Sequence, residues 1–412
     1  MSAFSIPLSG LAGSSDALNV IANNLANLNT DGYKDENLTF SGLFNQMLGV
    51  SGNGDPIQVG SGVQVAGETA NFTSGTVDST GIASNMALQG NGFFVVEGGN
   101  NQMSFTRDGS FGVNADGQLV TQGGELVMGY PAVNGAISTN SALAPINVNQ
   151  AENIPAVATS SFSMDTNLDA SAGVGTTFST PLTVYDSLGS SHELTVTYTN
   201  TGANTWSYNV TLPAADTGGT GNPTSLATGT MTFNSSGQLT SPSGSITGIN
   251  ITGLADGAAP MNLTWNLTNN GSATMTQQDA TSATSTTEQN GYGVGTLTGY
   301  SVLSDGTVEG QFSNDQTLAL GKVAVAGFAN NQGLTQTGSD DYQATFASGA
   351  PVIGQAGAGG NGTITGGAVE ESNVNLSTEF ANMIVAQQNY EANAKALTTM
   401  DQVSQATIQL IS

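Results

Sequence analysis

Glycine and proline are unevenly distributed along this chain, and their distribution restricts where long helices can form. The 412 residues include 55 Gly and 11 Pro, but neither type occurs anywhere in 370–412. Both disfavour helix interiors, because glycine loses much backbone entropy on folding and proline lacks a backbone N–H. The C-terminal region therefore predicts one long helix over Leu376–Ile411.

The apolar residues of this C-terminal stretch recur at intervals of three and four. That spacing places them on one face, so the helix is predicted to be amphipathic. The stripe consists of Leu376, Phe380, Met383, Ile384, Tyr390, Ala394, Leu397, Met400, Val403 and Leu410.

A shorter helix is predicted near the N-terminus, over residues 14–31, which also lack Gly and Pro. Leu11, Leu18 and Leu25 follow one another at intervals of seven, and Asp16 is the only charged residue among the first thirty. A face of amides and small residues suits burial against other chains better than exposure to water. The amides on that face belong to Asn19, Asn23, Asn24 and Asn27.

The region between the two helices has the pattern of antiparallel β-structure. Turn dipeptides such as Asp108-Gly109 and Asp305-Gly306 separate runs that alternate or are rich in β-branched residues. Neither helix can bury its stripe alone, so we expect the two helices to pack against one another around a nested insertion. The predicted fold class is mainly β with α-helical termini, which pair as an inner coiled-coil-like domain with antiparallel β domains inserted between them.

Two polar segments of the middle region are expected to lie outside the cores. Residues 268–287 are so rich in Ser and Thr that they predict an exposed hairpin, loop or linker. The glycines of 354–367 predict a flexible joint before the last helix. A G-x-G-x-x-G match at 357–362 has no βαβ unit around it, so we interpret it as part of this linker and not as a dinucleotide site.

Charge and residue types exclude several classes of function. The basic residues Lys34, Arg107, Lys322 and Lys395 stand against 30 acidic ones and are too scattered to form a groove for nucleic acid. The chain has no cysteine, which excludes disulfides and thiolate sites. We find no Sec-type signal peptide and no apolar run of the roughly 18 residues that span a membrane, so no membrane insertion is expected. We predict no cofactor and no metal ion.

The single histidine, His192, could act as a general base with Asp186. No nucleophile, base and orienting carboxylate stand in an order that suggests a triad. We therefore expect His192 to be a half-exposed strand residue that follows the turn at 186–189. No catalytic residue is predicted.

Two pairs of adjacent acids, Glu370-Glu371 and Asp340-Asp341, could bind a cation or act as a glycosidase pair. Side chains that are neighbours in sequence point apart on a strand and diverge on a helix. Glu370 and Glu371 precede the long helix, and the helix dipole stabilises negative charge near a helix N-terminus. We therefore expect capping and solvation from these acids.

Motifs at both ends of the chain match one known family. They are SGL at 9–11, VIANNLAN at 20–27, NTDGYK at 29–34, GNGFFVV at 90–96, FTRDGSF at 105–111, GGAVEESNVNL at 366–376, EF at 379–380, MI at 383–384 and YEANAK at 390–395. These motifs resemble those of the bacterial flagellar rod and hook proteins. The end motifs belong to the whole axial family, so they leave hook and rod members open.

The middle of the chain separates those members. TPLTVYDSLG at 180–189, HELT at 192–195, WSY at 206–208 and LGKVAVAGF at 320–328 resemble hook proteins, whose outer β domain the rod proteins lack. Asp35-Glu36 is unusually acidic for the family, and 212–287 matches no pattern that we can assign.

The resemblance implies a structural subunit of the flagellar hook and not an enzyme. Such a subunit is exported through the flagellar type III apparatus and assembles outside the cell, in the extracellular part of the flagellum. It forms a curved flexible tube that acts as a universal joint transmitting torque from rod to filament. The implied partners are further copies of the chain in a homopolymer, the flagellar rod and hook–filament junction proteins, the hook cap and the export apparatus.

The resemblance also divides the chain. Residues 1–33 and 368–412 are expected to form an inner helical polymerisation domain, and 34–70 an extended or hairpin connecting segment with the motif Gly32, Tyr33 and Lys34 at its start. A first β domain is expected over 71–148 and 288–367, and an inserted outer β domain over 149–287. The predicted self-assembly residues are Leu11, Leu18, Ile21, Asn23, Asn24, Leu25, Asn27, Leu376, Phe380, Met383, Ile384, Tyr390 and Leu397.

Two alternative functions stay open at this point. A flagellar distal-rod-type axial protein shares the end motifs but lacks the inserted outer domain. A secreted β-rich adhesin or passenger enzyme would account for the polar strands but not for the paired helical ends.

Overall fold

The chain folds into two compact units. The computed structural model describes residues 4–43, 46–50, 56–149, 151–269 and 271–411. The first unit comprises Met1–Gln150, Gly299–Gly310 and Thr317–Ser412, and the second comprises Ala151–Thr298 and Gln311–Gln316. The expected connecting segment, 34–70, includes positions 44–45 and 51–55, which lie outside the described residues. The boundaries expected within each unit stay a prediction.

Two long helices lie at the ends of the chain, α1 (Ser5–Ala26) and α2 (Leu376–Ile411), and short 3-10 helices occupy Ala214–Thr217 and Asn331–Gly333. The prediction for α2 is confirmed at both ends. The predicted range 14–31 for α1 is wrong. The helix begins earlier because Pro7 stands in its first turn, where a backbone N–H needs no partner. It ends at Ala26 because a turn follows, in which the N–H of Asn27 donates to the carbonyl oxygens of Asn23 and Asn24.

Strands fill most of the chain between the helices. Before residue 150 they are β1 (Glu36–Gly42), β2 (Gln46–Val50), β3 (Pro56–Val59), β4 (Val63–Ala70), β5 (Val77–Ser79), β6 (Met86–Gln89), β7 (Phe93–Glu97), β8 (Met103–Thr106), β9 (Gly112–Val113), β10 (Leu119–Val120), β11 (Leu126–Val133), β12 (Ala136–Ile137) and β13 (Ala144–Pro145). The next group is β14 (Asn153–Ile154), β15 (Ser161–Asp169), β16 (Thr177–Tyr185), β17 (Ser191–Gly202), β18 (Thr205–Leu212), β19 (Thr224–Phe233), β20 (Leu239–Ser241), β21 (Ile246–Ile251), β22 (Met261–Asn266), β23 (Thr268–Asn269), β24 (Ser272–Ala273), β25 (Met275–Gln278) and β26 (Ala283–Gln289). The last group is β27 (Gly295–Val302), β28 (Thr307–Phe312), β29 (Thr317–Gly327), β30 (Thr335–Gly338), β31 (Asp341–Gln343), β32 (Val352–Gln355), β33 (Thr363–Gly366) and β34 (Ala368–Glu370).

The first unit is built on an antiparallel sheet in the order β29-β11-β7-β8-β31-β30. Phe93, Val95 and Phe105 of β7 and β8 are buried in its core. The chain returns to this unit through β33, which pairs with β6, and through β34, which pairs with β5. These two pairings bring the segment before α2 beside the segment that follows α1.

The second unit has two five-stranded sheets, β16-β17-β18-β19-β20 and β21-β22-β15-β25 with β26 added to β15. Buried residues alternate with half-buried or exposed ones along β15, β17 and β18, and residues of both sheets share one core. Trp265 lies at its centre, with the rings of Phe162, Tyr198 and Tyr208 around it at centroid distances of 5.7, 6.2 and 5.5 Å. The fold class, mainly β with α-helical termini, is confirmed, although β15 pairs parallel with β22 and β25.

Both polar segments of the middle region contribute strands to the sheets among the described residues. Residues 268–287 include β25 and most of β26, which flank β15, and Met275 is fully buried. Residues 354–367 do not form a flexible joint, because β32 and β33 lie at their ends and the side-chain amide of Asn361 donates to the carbonyl oxygens of Val325 and Gln355. A Cβ atom added at Gly362 would come within 2.1 Å of a backbone oxygen. These glycines therefore permit close backbone packing.

Among the described residues, no helix combines the length and the apolar character that crossing a bilayer requires.

Replacing Trp265 by Ala is expected to destabilise the second unit by about 3–5 kcal/mol, because the cavity lies among three aromatic rings. The fluorescence of Trp206, the other tryptophan of the chain, reports the unfolding transition in denaturant. Val174→Ala is the matched control, since Val174 is exposed in the same unit. Equal free energies of unfolding for the two variants would contradict a core centred on Trp265.

Candidate self-assembly surface

One face of α1 is buried against its own chain. Ile21 and Asn24 are buried, and Asn24 uses its whole side-chain amide inside the first unit. Its Nδ2 donates to the carbonyl oxygen of Glu36 over 2.9 Å, and its Oδ1 accepts from the N–H of Glu36 at 3.0 Å and from the Tyr33 hydroxyl at 3.1 Å. Asn24 was predicted to meet other copies of the chain, but burial directs it toward the segment that follows α1.

The other predicted residues of α1 are more accessible. Asn23 is exposed, and Leu11, Leu18, Leu25 and Asn27 are half-buried. The Asn23 amide donates to the Tyr33 hydroxyl over 3.2 Å, and the Asn27 amide donates to the Asn23 carbonyl oxygen over 3.0 Å. These asparagines therefore hold the turn after α1, while the three leucines leave part of their surface free.

Gly32, the first residue of the connecting motif, occupies a place that only glycine fits. Its φ is +74°, and a Cβ atom there would come within 2.5 Å of the backbone nitrogen of Asp108. Its N–H donates to the carbonyl oxygen of Glu370 over 2.6 Å. The turn after α1 is thus pressed against both the first β sheet and the strand that precedes α2.

Three charged side chains meet in the interior of the first unit beside this turn. Lys34 Nζ lies 2.6 Å from Glu370 Oε1, and Arg107 Nη1 lies 3.2 Å from Glu370 Oε2. All three side chains are almost completely buried. Lys34 also donates to the backbone carbonyl oxygen of Thr73, and Arg107 donates to those of Leu88 and Gly90.

Burial lowers the pKa of Lys34 and of Arg107, and the negative charge of Glu370 opposes that shift in both. The expectation of capping and solvation for Glu370 is therefore wrong. Its strand pairs with β5 inside the unit and ends before α2 begins. The pair of adjacent acids in the sequence does not indicate that Glu370 binds two cations. A usable sequence signal was that the chain has only four basic residues and that two of them, Lys34 and Arg107, lie within the motifs at 29–34 and 105–111.

Asparagine side chains complete the junction between the two ends of the chain. The N–H of Asp35 donates to Asn373 Oδ1 over 2.7 Å, and Asn373 Nδ2 donates to the carbonyl oxygen of Asn71 over 2.7 Å. Asn375 then caps α2, because its Oδ1 accepts from the N–H groups of Ser377 and Thr378. The start of α2 is fixed by these bonds.

Helix α2 presents different faces to α1 and to solvent. Ala386 is buried on its inner face, and Asn393 lies against Gly10, where a Cβ atom would come within 2.7 Å of the Asn393 side chain. Leu376, Phe380 and Ile384, each four residues from the next, are 43, 50 and 55% exposed. The two helices pair as expected, but only part of the apolar stripe of α2 is covered. Met383, Leu397 and Met400 are half-buried, whereas Leu376, Phe380 and Ile384 stay exposed.

The remaining predicted residues of α2 follow the same division. Met383 and Leu397 are half-buried and Tyr390 is exposed. Leu410 lies outside the residues whose side chains are described. A groove of about 560 Å³ runs between α1, α2 and β1, and Ser14, Ala17, Phe40 and Asn389 are among the residues that line it. The first unit therefore carries an open groove and an exposed apolar stripe on one helix pair.

The second pair of adjacent acids, Asp340 and Asp341, lies at the hairpin of β30 and β31. Burial, and then the charge of Asp108, raises the pKa of Asp340 to about 6. Burial, with the charge of Glu125 and a hydrogen bond to it, raises the pKa of Asp341 to about 7. These side chains were expected to be solvated, but the fold gathers several carboxylates around them.

Replacing Glu370 by Gln is expected to destabilise the first unit by about 3–5 kcal/mol, because two cations stay buried without a countercharge. Hydrogen exchange of the amides in 32–36 and 368–370 measures the loss. The matched control is Asp305→Asn, which breaks the Lys322–Asp305 pair, where Asp305 is 51% exposed. That change should cost less than about 1 kcal/mol. Similar losses from both variants would mean that burial of the Glu370 pairs is unimportant.

The raised carboxylate pKa values predict that the first unit loses stability as pH increases. Folded Asp340 and Asp341 keep protons that the unfolded chain, with an ordinary value of 3.8, has released. Their contribution to the free energy of unfolding is fully present below about pH 4, and it is lost as pH rises through about 6 for Asp340 and about 7 for Asp341.

Asp341→Asn should therefore raise the free energy of unfolding by about 1 kcal/mol at about pH 8, a gain that solvent screening limits and that shrinks toward about pH 5. Thermal unfolding at both pH values measures it, with the exposed Asp116→Asn as control. A gain that is the same at both pH values would disprove the assignment.

Family models match four parts of the chain in order. They describe a flagella basal body rod protein over 6–34, a flagellar hook protein FlgE/F/G D1 domain over 87–166, a flagellar basal body protein FlaE D2 domain over 147–292 and a flagellar basal body rod FlgEFG protein C-terminal region over 365–410. The matches at the two ends cover α1 and α2. The third match covers most of the second unit, including 212–287, for which the sequence alone suggested no assignment.

The chain is 36% identical to the flagellar hook protein FlgE of Escherichia coli (strain K12), over 99% of this chain and 100% of that protein. It is 31% identical to the flagellar hook protein FlgE of Treponema pallidum (strain Nichols), over 98% of each. A crystal structure of Helicobacter pylori flagellar hook protein FlgE2 shares the fold, with a TM-score of 0.51 and 16% identity over 70% of this chain and 98% of that one. Because identity above 30% extends over nearly the whole length of two relatives, this chain belongs to the flagellar hook protein family.

Proposed function

We propose that this chain is a structural subunit of the flagellar hook that polymerises through α1 and α2. The hook is a curved tube that transmits torque from rod to filament, and the subunit has no catalytic role. The observation that carries the mode of assembly is the exposed stripe on α2. Leu376, Phe380 and Ile384 leave about half of their surface in water in the single chain.

Burial of such side chains between copies supplies the free energy of assembly. Transfer of apolar surface from water contributes roughly 25 cal/mol per Å², so each of these residues adds on the order of 1 kcal/mol for every copy that joins. The half-buried residues Leu11, Leu18, Leu25, Met383 and Leu397 extend the same surface. Ile21 and Asn24 act indirectly, by holding α1 against β1.

The flexible behaviour of a universal joint requires two kinds of contact. Firm contacts near the tube axis carry torque, and weaker outer contacts exchange as a subunit passes the inside and the outside of the bend. The terminal helices suit the first role because their apolar stripe is unpaired in the single chain. The second unit suits the other role, since it has its own aromatic core and needs no partner to bury it.

The partners and location follow from that assignment. We propose that the chain assembles outside the cell, between rod and hook–filament junction proteins, after passing through the flagellar export apparatus and beneath a hook cap. A distal-rod-type protein is the alternative within the axial family. The match of 147–292 to the D2 domain and the similarity to hook proteins along the whole chain favour the hook.

The double variant Phe380→Glu/Ile384→Glu is expected to lower the yield of polymer more than about tenfold, because each charge buried at a contact without a partner costs several kcal/mol. The yield is measured as the number of tubes seen by electron microscopy. Tryptophan fluorescence shows whether the second unit, which contains both tryptophans, stays folded in the variant.

Val174→Glu is the matched control, because it places the same charge on an exposed apolar residue outside the helices. Substitutions of Asn24 are poor tests, since they disturb the bonds that Asn24 makes within its own chain. Normal tubes from the double variant would exclude the proposed role of the stripe.

A further inference from the structure

The only histidine of the chain is surrounded by aspartates in the second unit. His192 was expected to be half-exposed on a hairpin strand. It does lie on β17, but its side chain is only 7% exposed, and Asp186 beside it is completely buried. The cluster belongs to the second unit, and the assembly surface proposed on α1 and α2 does not include it.

The turn between β16 and β17 fixes the first aspartate. Asp186 Oδ1 accepts the backbone N–H groups of Leu188 and Ser190 at 2.8 and 2.9 Å. These bonds leave Oδ2 to face the ring, and it lies 3.2 Å from His192 Nε2. One carboxylate oxygen therefore shapes the turn while the other points into the cluster.

Two more aspartates come from segments distant in sequence. Asp216 lies in the 3-10 helix Ala214–Thr217, and its carbonyl oxygen accepts the N–H of Ala255 over 2.9 Å. The N–H of Ala259 donates to Ser187 Oγ over 3.0 Å. The loop that carries Asp256 is thereby held between the 3-10 helix and the hairpin turn.

The ligand-type atoms of this cluster converge. Asp186, His192 and Asp256 each supply one, and all three atoms lie within 4.8 Å of one another. The other ring nitrogen, Nδ1, is buried, has no hydrogen-bond partner and lies 3.3 Å from Asp216 Oδ2. Carboxylates brought this close repel one another unless positive charge stands between them.

We propose that Asp186, His192 and Asp256 bind a divalent first-row transition cation of the Zn²⁺ class, with His192 Nε2 as the nitrogen ligand. The 3.2 Å between Nε2 and Asp186 Oδ2 fits one edge of a tetrahedron whose metal–ligand bonds are about 2.0–2.1 Å. An imidazole in the set favours Zn²⁺ over Mg²⁺ and Ca²⁺. This departs from the sequence-based expectation that the chain holds no metal.

Asp216 is assigned a positioning role in the same site. A histidine that binds a metal through one nitrogen usually donates its other N–H to a carboxylate, which fixes the tautomer and the ring orientation. Nδ1 has Asp216 Oδ2 in reach for that purpose. A bound cation would join the hairpin turn, the 3-10 helix and the Asp256 loop, so it should stabilise the second unit.

Titration calorimetry of the full chain with Zn²⁺, after removal of metal by a chelator, tests the proposal. We expect one site per chain and an increase in the temperature at which Trp206 and Trp265 report unfolding. Asp256→Asn should abolish this binding, and because Asp256 is exposed the variant should still fold. Asp216→Asn should weaken it about 10–100-fold, as expected for loss of an orienting carboxylate.

The control is Asp279→Asn, which removes the same charge from an exposed position of the second unit and should leave Zn²⁺ binding unchanged. It matters because 30 acidic residues attract cations without specific sites. Equal Zn²⁺ affinity in the Asp256→Asn and Asp279→Asn variants would overturn the site, and so would an unchanged unfolding temperature. Preference for Ca²⁺ or Mg²⁺ over Zn²⁺ would overturn the role of His192.

Discussion

The first unit depends on one buried carboxylate that two cations share. Glu370, the last residue of β34 before α2, pairs with Lys34 from the segment after α1 and with Arg107, which directly follows β8. Both ends of the chain and the first β sheet therefore meet at one point. Loss of Glu370 would leave two buried cations without a countercharge, which is far more costly than loss of an exposed pair. The geometry of the helix pair is set from this junction.

A firm junction with an unsatisfied helix face is the arrangement that a polymer subunit needs. The Glu370 cluster, Asn373 and the cap from Asn375 fix where α2 starts, so the exposed residues of its stripe are presented in a defined direction. The free energy of burying these apolar side chains is not gained in the single chain, so it can be gained when copies of the chain associate. The second unit differs, because Trp265 and the rings around it give that unit a core of its own.

Local sequence patterns predicted the positions of helices and strands better than they predicted which side chains these elements bury. The absence of Gly and Pro, together with the apolar spacing that begins at Leu376, was sufficient for both ends of α2, and alternation was sufficient for strands such as β17. The start of α1 was missed because Pro7, Gly10 and Gly13 are ordinarily poor helix formers. Pro7 is tolerated because it stands in the first turn, and a Cβ atom at Gly10 would come within 2.7 Å of the Asn393 side chain, a contact that only the tertiary structure shows. Burial of His192 was missed because its aspartate neighbours at 216 and 256 are distant in sequence.

The sequence by itself determined the order of the elements, the absence of thiol chemistry and the amphipathic character of the last helix, because these depend on residue types and on spacing within a few turns. Only the tertiary structure decided which charges are buried and which face of α2 stays in water. Lys34, Arg107 and Glu370 are separated by up to 336 positions, and no local pattern relates them. Their meeting depends on strand pairing across the whole first unit, and burial then turns ordinary surface charges into the strongest constraint in it.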